Sequence, residues 1–161
     1  MKTIPLTQGK VALVDDADHG WLTRCKWQAV LLDGIWYAKR SVAREGKKRT
    51  ILMHRLILLA ERWERIDHKD GDGLNNQRSN LRRATLHQNN RNRRLNRNSR
   101  TGYKGVYESP TGQIRAQIQI GKKFIHLGGK FLSLEEAARA YDVAALKHFG
   151  EFARLNFPDG A

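Results

Sequence analysis

The chain has 161 residues, 40% of them hydrophobic, which suffices for one ordinary domain or two small ones and excludes a wholly disordered polymer. Lys and Arg number 30 against 16 Asp and Glu, a formal charge of +14 that calls for a polyanionic partner. No apolar run approaches the ~20 residues of a spanning helix, no signal-peptide pattern opens the chain, and the sole cysteine, Cys25, excludes an intrachain disulfide or cysteine-based zinc site. Nucleic acid is therefore favoured over a membrane, in a reducing, intracellular setting.

From Ile4 to Arg62, apolar stretches such as Val11-Ala12-Leu13-Val14 and Ile35-Trp36-Tyr37-Ala38 lie between turn-forming residues, including the hairpin dipeptide Asp33-Gly34. This segment reads as short strands. After Lys47-Lys48-Arg49, the run from Ile51 to Ala60 is mostly apolar and rich in helix formers, so a strand end should enter a buried helix. Residues 66 to 92 then change character. Asp70-Gly71-Asp72-Gly73 and Asn75-Asn76 predict a loop, and Asn80-Leu81 leads through Ala84-Thr85 into a short polar helix.

Arg91, Arg93, Arg94, Arg97 and Arg100, interleaved with asparagines, have no hydrophobic face and read as a basic linker able to meet DNA. Beyond it, Ile114, Ala116, Ile118 and Ile120 alternate with Arg115, Gln117 and Gln119, the period of a strand with one buried face. Gly121 closes a hairpin into a strand containing Phe124-Ile125-His126-Leu127. Ser133-Leu134-Glu135-Glu136 reads as a capping box opening a helix whose Leu134, Ala137, Ala138, Tyr141 and Ala145 share one face, with Gly150 as its stop.

Within residues 66 to 92, Asp67-His68, Asn80 and Asn89 offer one carboxylate, one imidazole and two amides, a set suited to metal-assisted phosphodiester hydrolysis. A hard divalent cation such as magnesium accepts a carboxylate and an amide oxygen and completes its shell with phosphate and water. A neighbouring histidine, largely neutral at physiological pH, can take the proton of the attacking water. His19, His87 and His148 read as ordinary surface or packing histidines.

The ordered pieces Asp67-His68, Asp70-Gly71-Asp72-Gly73, Asn75-Asn76, Asn80-Leu81, Thr85 and Asn89-Asn90 resemble the HNH endonucleases of the phage and intron-encoded homing type. The resemblance implies a beta-beta-alpha metal module, with Asp67 and Asn89 binding one divalent ion, magnesium, per active site. It implies His68 as general base and Asn80 as the residue holding the loop that orients His68; Asn90 is the alternative ligand to Asn89. Met53-His54-Arg55-Leu56 matches a recurrent upstream element, for which structural support or a phosphate contact is inferred. It also implies a place inside a bacterial or phage-infected cell.

Tyr103-Lys104-Gly105-Val106-Tyr107, the strand Ile114 to Ile120, His126-Leu127-Gly128, the helix Glu135 to Ala145 and Leu155-Asn156-Phe157-Pro158 resemble the plant ethylene-response-factor, or Apetala-type, DNA-binding domain. That resemblance implies a three-stranded antiparallel sheet, packed on one helix, with its polar face in the major groove of double-stranded DNA. By position, Lys104, Tyr107, Ser109, Thr111, Gln117, Gln119 and His126 fall where the plant proteins contact DNA, and Arg115 shares their face. Phe124 either packs on sugar or is plain surface.

The expected architecture is thus an alpha+beta chain: a nuclease domain with N-terminal strands at 1–92, a basic linker at 93–100, and a DNA-binding domain at 101–161. The competing class is a non-catalytic DNA-binding regulator, against which the full set of candidate catalytic residues argues. An RNA-binding protein has the right charge but would need the aromatic-rich stacking motifs of the common RNA modules.

Overall fold

The computed structural model describes residues 1–44, 46–96 and 98–158; Arg97 of the basic run and the last three positions of the expected DNA-binding domain lie outside them. The fold is mixed, built from several small antiparallel sheets and few helices. It divides into two compact units, Met1–Leu86 and the chain from His87 onward. No helix among the described residues is long and apolar enough to cross a membrane.

The first unit opens with β1 (Lys2–Pro5) and β2 (Val11–Val14), paired through a turn at Gln8 and Gly9. Helix α1 (Asp16–Leu22) follows, where short strands were expected throughout. With a single core residue, Leu22, to mark its buried face, α1 carries almost no periodic signal. It is fixed instead by Arg78, from a distant loop, whose guanidinium meets both carboxylate oxygens of Asp18 at 2.7 and 2.8 Å.

Strands β3 (Gln28–Leu32), β4 (Ile35–Arg44) and β5 (Lys47–Leu52) form a three-stranded meander. Asp33 and Gly34 join β3 to β4 with φ of 49° and 80°, the paired positive angles of a hairpin turn matched to strand twist. Strand β5 runs directly into α2 (Met53–Ile57), as the sequence predicts. Strands β6 (Arg65–His68) and β7 (Leu81–Ala84) make a separate antiparallel pair joined by the loop 69–80. Ile4, Ala12, Val14, Leu22, Trp27, Ala38, Met53, Ile57 and Leu81 form one core drawn from β1, β2, α1, β4, α2, β7 and the segment before β3. Burying each large apolar side chain is worth about 1.5–3 kcal/mol, and this shared core positions β6 and β7 against the meander.

Helix α3 (Leu86–Arg91) leads into the second unit, where β8 (Val106–Glu108), β9 (Ile114–Ile120) and β10 (Lys123–His126) form a sheet in the order β10-β9-β8. Helix α4 (Leu134–Phe149) covers one side of it, through Ala137, Ala138, Tyr141, Ala144, Ala145 and Phe149 against Val106, Ala116 and Ile118. The many alanines let helix and sheet approach closely. Gly105 shows how closely: a Cβ there would lie 2.0 Å from the Tyr141 ring, and its φ is +75°. Ser133 Oγ accepts the Glu136 N–H at 3.0 Å, while the Glu136 carboxylate takes the N–H of Leu132, one residue ahead of the expected reciprocal partner. Gly150, with φ 53°, ends the helix.

The second unit begins at His87. Within it the Lys104 ammonium reaches back to the basic run. It binds the carbonyl oxygens of Arg91 and of Arg93, the latter at 2.8 Å, while the Arg91 guanidinium lies 4.6 Å from the Phe149 ring centre. Two carbonyls at the start of the basic run are thus hydrogen-bonded, and Asn92 between them is buried.

Candidate active site and nucleic-acid interface

Asp67 and His68 end β6, so one hydrogen-bonded strand presents the carboxylate and the imidazole on adjacent residues. Both are buried, at 5% exposure each. Asp67 faces Arg82 across the ladder, and its Oδ2 accepts from Arg82 Nε at 2.8 Å and Nη2 at 2.7 Å. The carboxylate thus has a guanidinium partner in a poorly solvated place, where an uncompensated charge would be costly.

Around His68 the meander and α2 contribute two more rings. His54, on α2, meets His68 edge-on, with centres 4.9 Å apart and planes at 86°. Tyr37, on β4, lies 5.5 Å from His54 and 5.8 Å from His68, tilted 59° to each. Burial holds His54 down to about 3, assisted by the charges of His68 and Arg55. Burial also lowers His68, opposed in turn by Asp70, the Asn76 side chain, Asp67 and Asp72, which favour its protonated form. The imidazole is thus neutral at rest in surroundings that stabilise a proton once it arrives.

The loop after His68 is organised by its own polar residues. Asn80 Nδ2 donates to Asp70 Oδ1 at 3.0 Å and to the Asn75 carbonyl at 2.8 Å, while its Oδ1 accepts the Asp70 N–H at 3.1 Å. Asp70 also accepts the Asp72 N–H and the Asn75 amide, and Asp72 accepts the Leu74 N–H. Leu13 of β2 exchanges backbone hydrogen bonds with Leu74 and Asn76, sewing the loop to the first hairpin. Asn76 is fully buried. Gly73 closes against β4, where an added Cβ would lie 2.4 Å from the Trp36 carbonyl oxygen and 2.6 Å from the Tyr37 ring.

Among the described residues no three His, Cys, Asp or Glu side chains converge to cage a cation. A site with one buried carboxylate beside a buried imidazole fits a hard divalent ion that retains waters and takes phosphate oxygens, and not a closed structural zinc site. Asn89, the second expected ligand, stands half-buried on α3, and its neighbour Asn90 is exposed. Sequence reasoning gave His54 a loose supporting role and did not single out Tyr37 or Arg82. Only the pairing of strands far apart in sequence brings these side chains to Asp67 and His68.

In the second unit the register assembles the expected DNA-contacting residues on one sheet face. Tyr107 opposes Arg115, His126 opposes Gln117, and Phe124 opposes Gln119, so all six side chains project from the side away from α4. Arg115, Gln119, Phe124 and His126 are exposed, and Tyr107 and Gln117 half-buried. Tyr107 Oη lies 3.5 Å from His126 Nδ1, and Arg115 Nη2 donates to Gln113 Oε1 at 2.9 Å. Ser109 and Thr111 bond each other at 2.8 Å in the β8–β9 turn.

Lys104 stands apart from that face, with its ammonium on backbone carbonyls as described and its pKa brought down to about 8 by burial and then by the charge of Arg154. Arg93 and Arg94 are exposed, whereas Arg91 is half-buried against Phe149.

No family model matches the chain, and no solved structure matches it. Three curated proteins are similar to parts of it. An uncharacterized HNH endonuclease of Acanthamoeba polyphaga mimivirus is 35% identical over 91 residues, 56% of this chain and 46% of that protein. An AP2/ERF and B3 domain-containing protein of Oryza sativa subsp. japonica is 49% identical over 59 residues, 37% of this chain and 16% of that protein. The dehydration-responsive element-binding protein 2A of Arabidopsis thaliana is 42% identical over 62 residues, 38% of this chain and 18% of that protein. The chain thus spans less than half the length of each relative, and it combines likeness to an HNH endonuclease with likeness to AP2/ERF-domain proteins, each over part of its length.

Proposed function

We propose that the protein is a metal-dependent DNA endonuclease, with its hydrolytic centre at Asp67 and His68 and its hold on double-stranded DNA in the β8–β9–β10 sheet. The observation that carries this reading is the buried Asp67–His68 pair on β6, with its following loop cross-tied by Asn80. The likeness to a viral HNH endonuclease supports the hydrolytic half, and the likeness to AP2/ERF-domain proteins supports the DNA-binding half.

His68, neutral because it is buried, accepts a proton from the water attacking the scissile phosphate. Asp70, Asn76, Asp67 and Asp72 stabilise the imidazolium formed in that step, so the environment favours the charge at the moment it develops. Asn80 holds the loop bearing Asp70 and Asp72, fixing the two carboxylates relative to the base. Asp67, with Asn89 or its alternative Asn90 as the resemblance implies, would hold a divalent ion of the magnesium type, which would supply charge stabilisation at the phosphate and the leaving 3′ oxygen.

On the sheet, Arg115, Gln117 and Gln119 with Tyr107, Phe124 and His126 present a polar surface able to reach base edges and phosphates in a major groove. The basic side chains of Arg91, Arg93 and Arg94 add sequence-independent attraction to the backbone.

The deciding experiment incubates supercoiled plasmid with the full chain, with magnesium or with chelator, beside the His68→Ala variant. Magnesium-dependent relaxed or linear product, lost in His68→Ala while DNA binding persists, is expected. Intact plasmid despite a metal-independent gel shift would replace this reading with that of a DNA-binding regulator.

A further inference from the structure

The edge-on approach of His54 to His68 and the tilted Tyr37 ring that touches both form a slot with two walls, one from α2 and one from β4. Gly73 lies against Tyr37 without room for a Cβ, so the loop closes the slot from the Tyr37 side. His54 is 6% exposed, and its buried Nδ1 makes no hydrogen bond among the described residues. Its ring is consequently held by packing and not by a polar tether on that nitrogen. A buried polar atom left in that state costs stability, so the ring's presence here calls for a role that its polar atom does not explain.

We propose that His54 is a positioning residue: together with Tyr37 it fixes the ring plane of His68, so that the base presents its nitrogen in a single orientation. The inference rests on the nuclease reading for its consequence and on the three-ring geometry for its substance. His54 touches neither the phosphate nor the ion in this role. It acts by removing the alternative χ1 and χ2 states that His68 would adopt in a wider cavity, and a base free to swing spends little time within reach of the attacking water.

The test compares the full-length wild type with His54→Ala, His54→Phe and Tyr37→Leu. Single-turnover cleavage with magnesium, DNA affinity by gel shift, and long-range proton–nitrogen NMR of the His68 ring are measured on each. His54→Ala should lower the cleavage rate by about tenfold or more at unchanged DNA affinity. Its His68 ring signals should broaden or move toward averaged values. His54→Phe, which restores a flat ring, should recover the rate to within about threefold and return one sharp set of His68 signals.

Tyr37→Leu opens the other wall and should reproduce the loss of rate and the NMR change if His54→Ala fails to fold. A wild-type rate in His54→Ala overturns the proposal, and so does a rate loss matched by lost DNA affinity. A His54→Phe protein as slow as His54→Ala would show that a nitrogen is required and would equally overturn it. A wild type that cuts no DNA refutes the nuclease reading alone, because the His68 ring signals in the four proteins still decide whether His54 positions that ring.

Discussion

Replacing His54 by Phe should flatten the acid sensitivity of the first unit by an amount that follows from its burial. The unfolded chain binds a proton at His54 near the ordinary pKa of 6.5, whereas the folded protein refuses it down to about 3. Stability contributed by the neutral ring is therefore complete above pH 6.5 and declines as pH falls toward 3, the sign expected of a histidine buried uncharged. Between about pH 7 and about pH 5 the loss amounts to roughly 2 kcal/mol, since one pKa unit corresponds to about 1.4 kcal/mol and about one and a half units are crossed. With a urea slope of about 2 kcal/mol/M, the midpoint should move by about 1 M in the wild type. The His54→Phe variant should lack that component and retain only what His68 and the other titrating groups contribute.

All four tryptophans, Trp21, Trp27, Trp36 and Trp63, precede residue 87, so tryptophan emission in a urea titration reports this unit selectively. Trp27, 4% exposed in the core, provides most of the expected change. Equal midpoint shifts in wild type and variant would refute the reasoning, because they would mean that His54 is protonated in the folded protein at pH 5.

Four further outcomes are expected. Gly73→Ala drives a Cβ into the Trp36 carbonyl oxygen and the Tyr37 ring and should lower the urea stability of the first unit by about 1–3 kcal/mol; an unchanged midpoint would contradict the packing described. Gly105→Ala, opposed by both Tyr141 and a positive φ, should destabilise the second unit by a similar ~1–3 kcal/mol in amide exchange while leaving the tryptophan transition in place. Asp18→Asn removes the charged acceptor of Arg78 and should cost about 1–3 kcal/mol at neutral pH. Because Arg78 holds the Asp18 carboxyl below its usual value, that difference should shrink as pH falls through the folded pKa, and a difference constant into strong acid would oppose it. Arg115→Ala should weaken DNA binding and reduce the dependence of log affinity on log salt by about one, whereas an unchanged slope would remove Arg115 from the phosphate contacts.

The parts of the molecule legible from sequence are those governed by local pattern. The alternation from Ile114 to Ile120 gives β9 and its buried face, Asp33-Gly34 gives the β3–β4 turn, and Ser133 with Gly150 brackets α4. Helix α1 was not legible, because Asp18 is held there by an arginine sixty positions away, an interaction with no local signature. Lys104 shows the same limit. Its position in the resemblance to the plant DNA-binding domain implies a DNA contact, while the fold turns its ammonium onto the carbonyls of Arg91 and Arg93. Within the candidate site, Asp67, His68 and Asn80 are visible as a motif, but the role of His54 is not. A histidine on an apolar helix reads the same whether it packs against solvent-facing side chains or against another imidazole, and only the pairing of α2 with β4 and β6 decides which.

The loop 69–80 is anchored to Leu13 and Asp18, so the ordering of the motif closes a chain segment of about sixty residues. The entropy of that closure rises only with the logarithm of length, yet it must be met before any of the reward from the Arg78–Asp18 and Leu13–Asn76 bonds is collected. Local hairpins such as β3–β4 can form within microseconds of their own synthesis. The motif cannot: its carboxylates and imidazole take their places only when β7 has left the ribosome and folded back onto a hairpin made much earlier. A growing chain thus carries Asp67 and His68 for some time before it holds them in their folded arrangement.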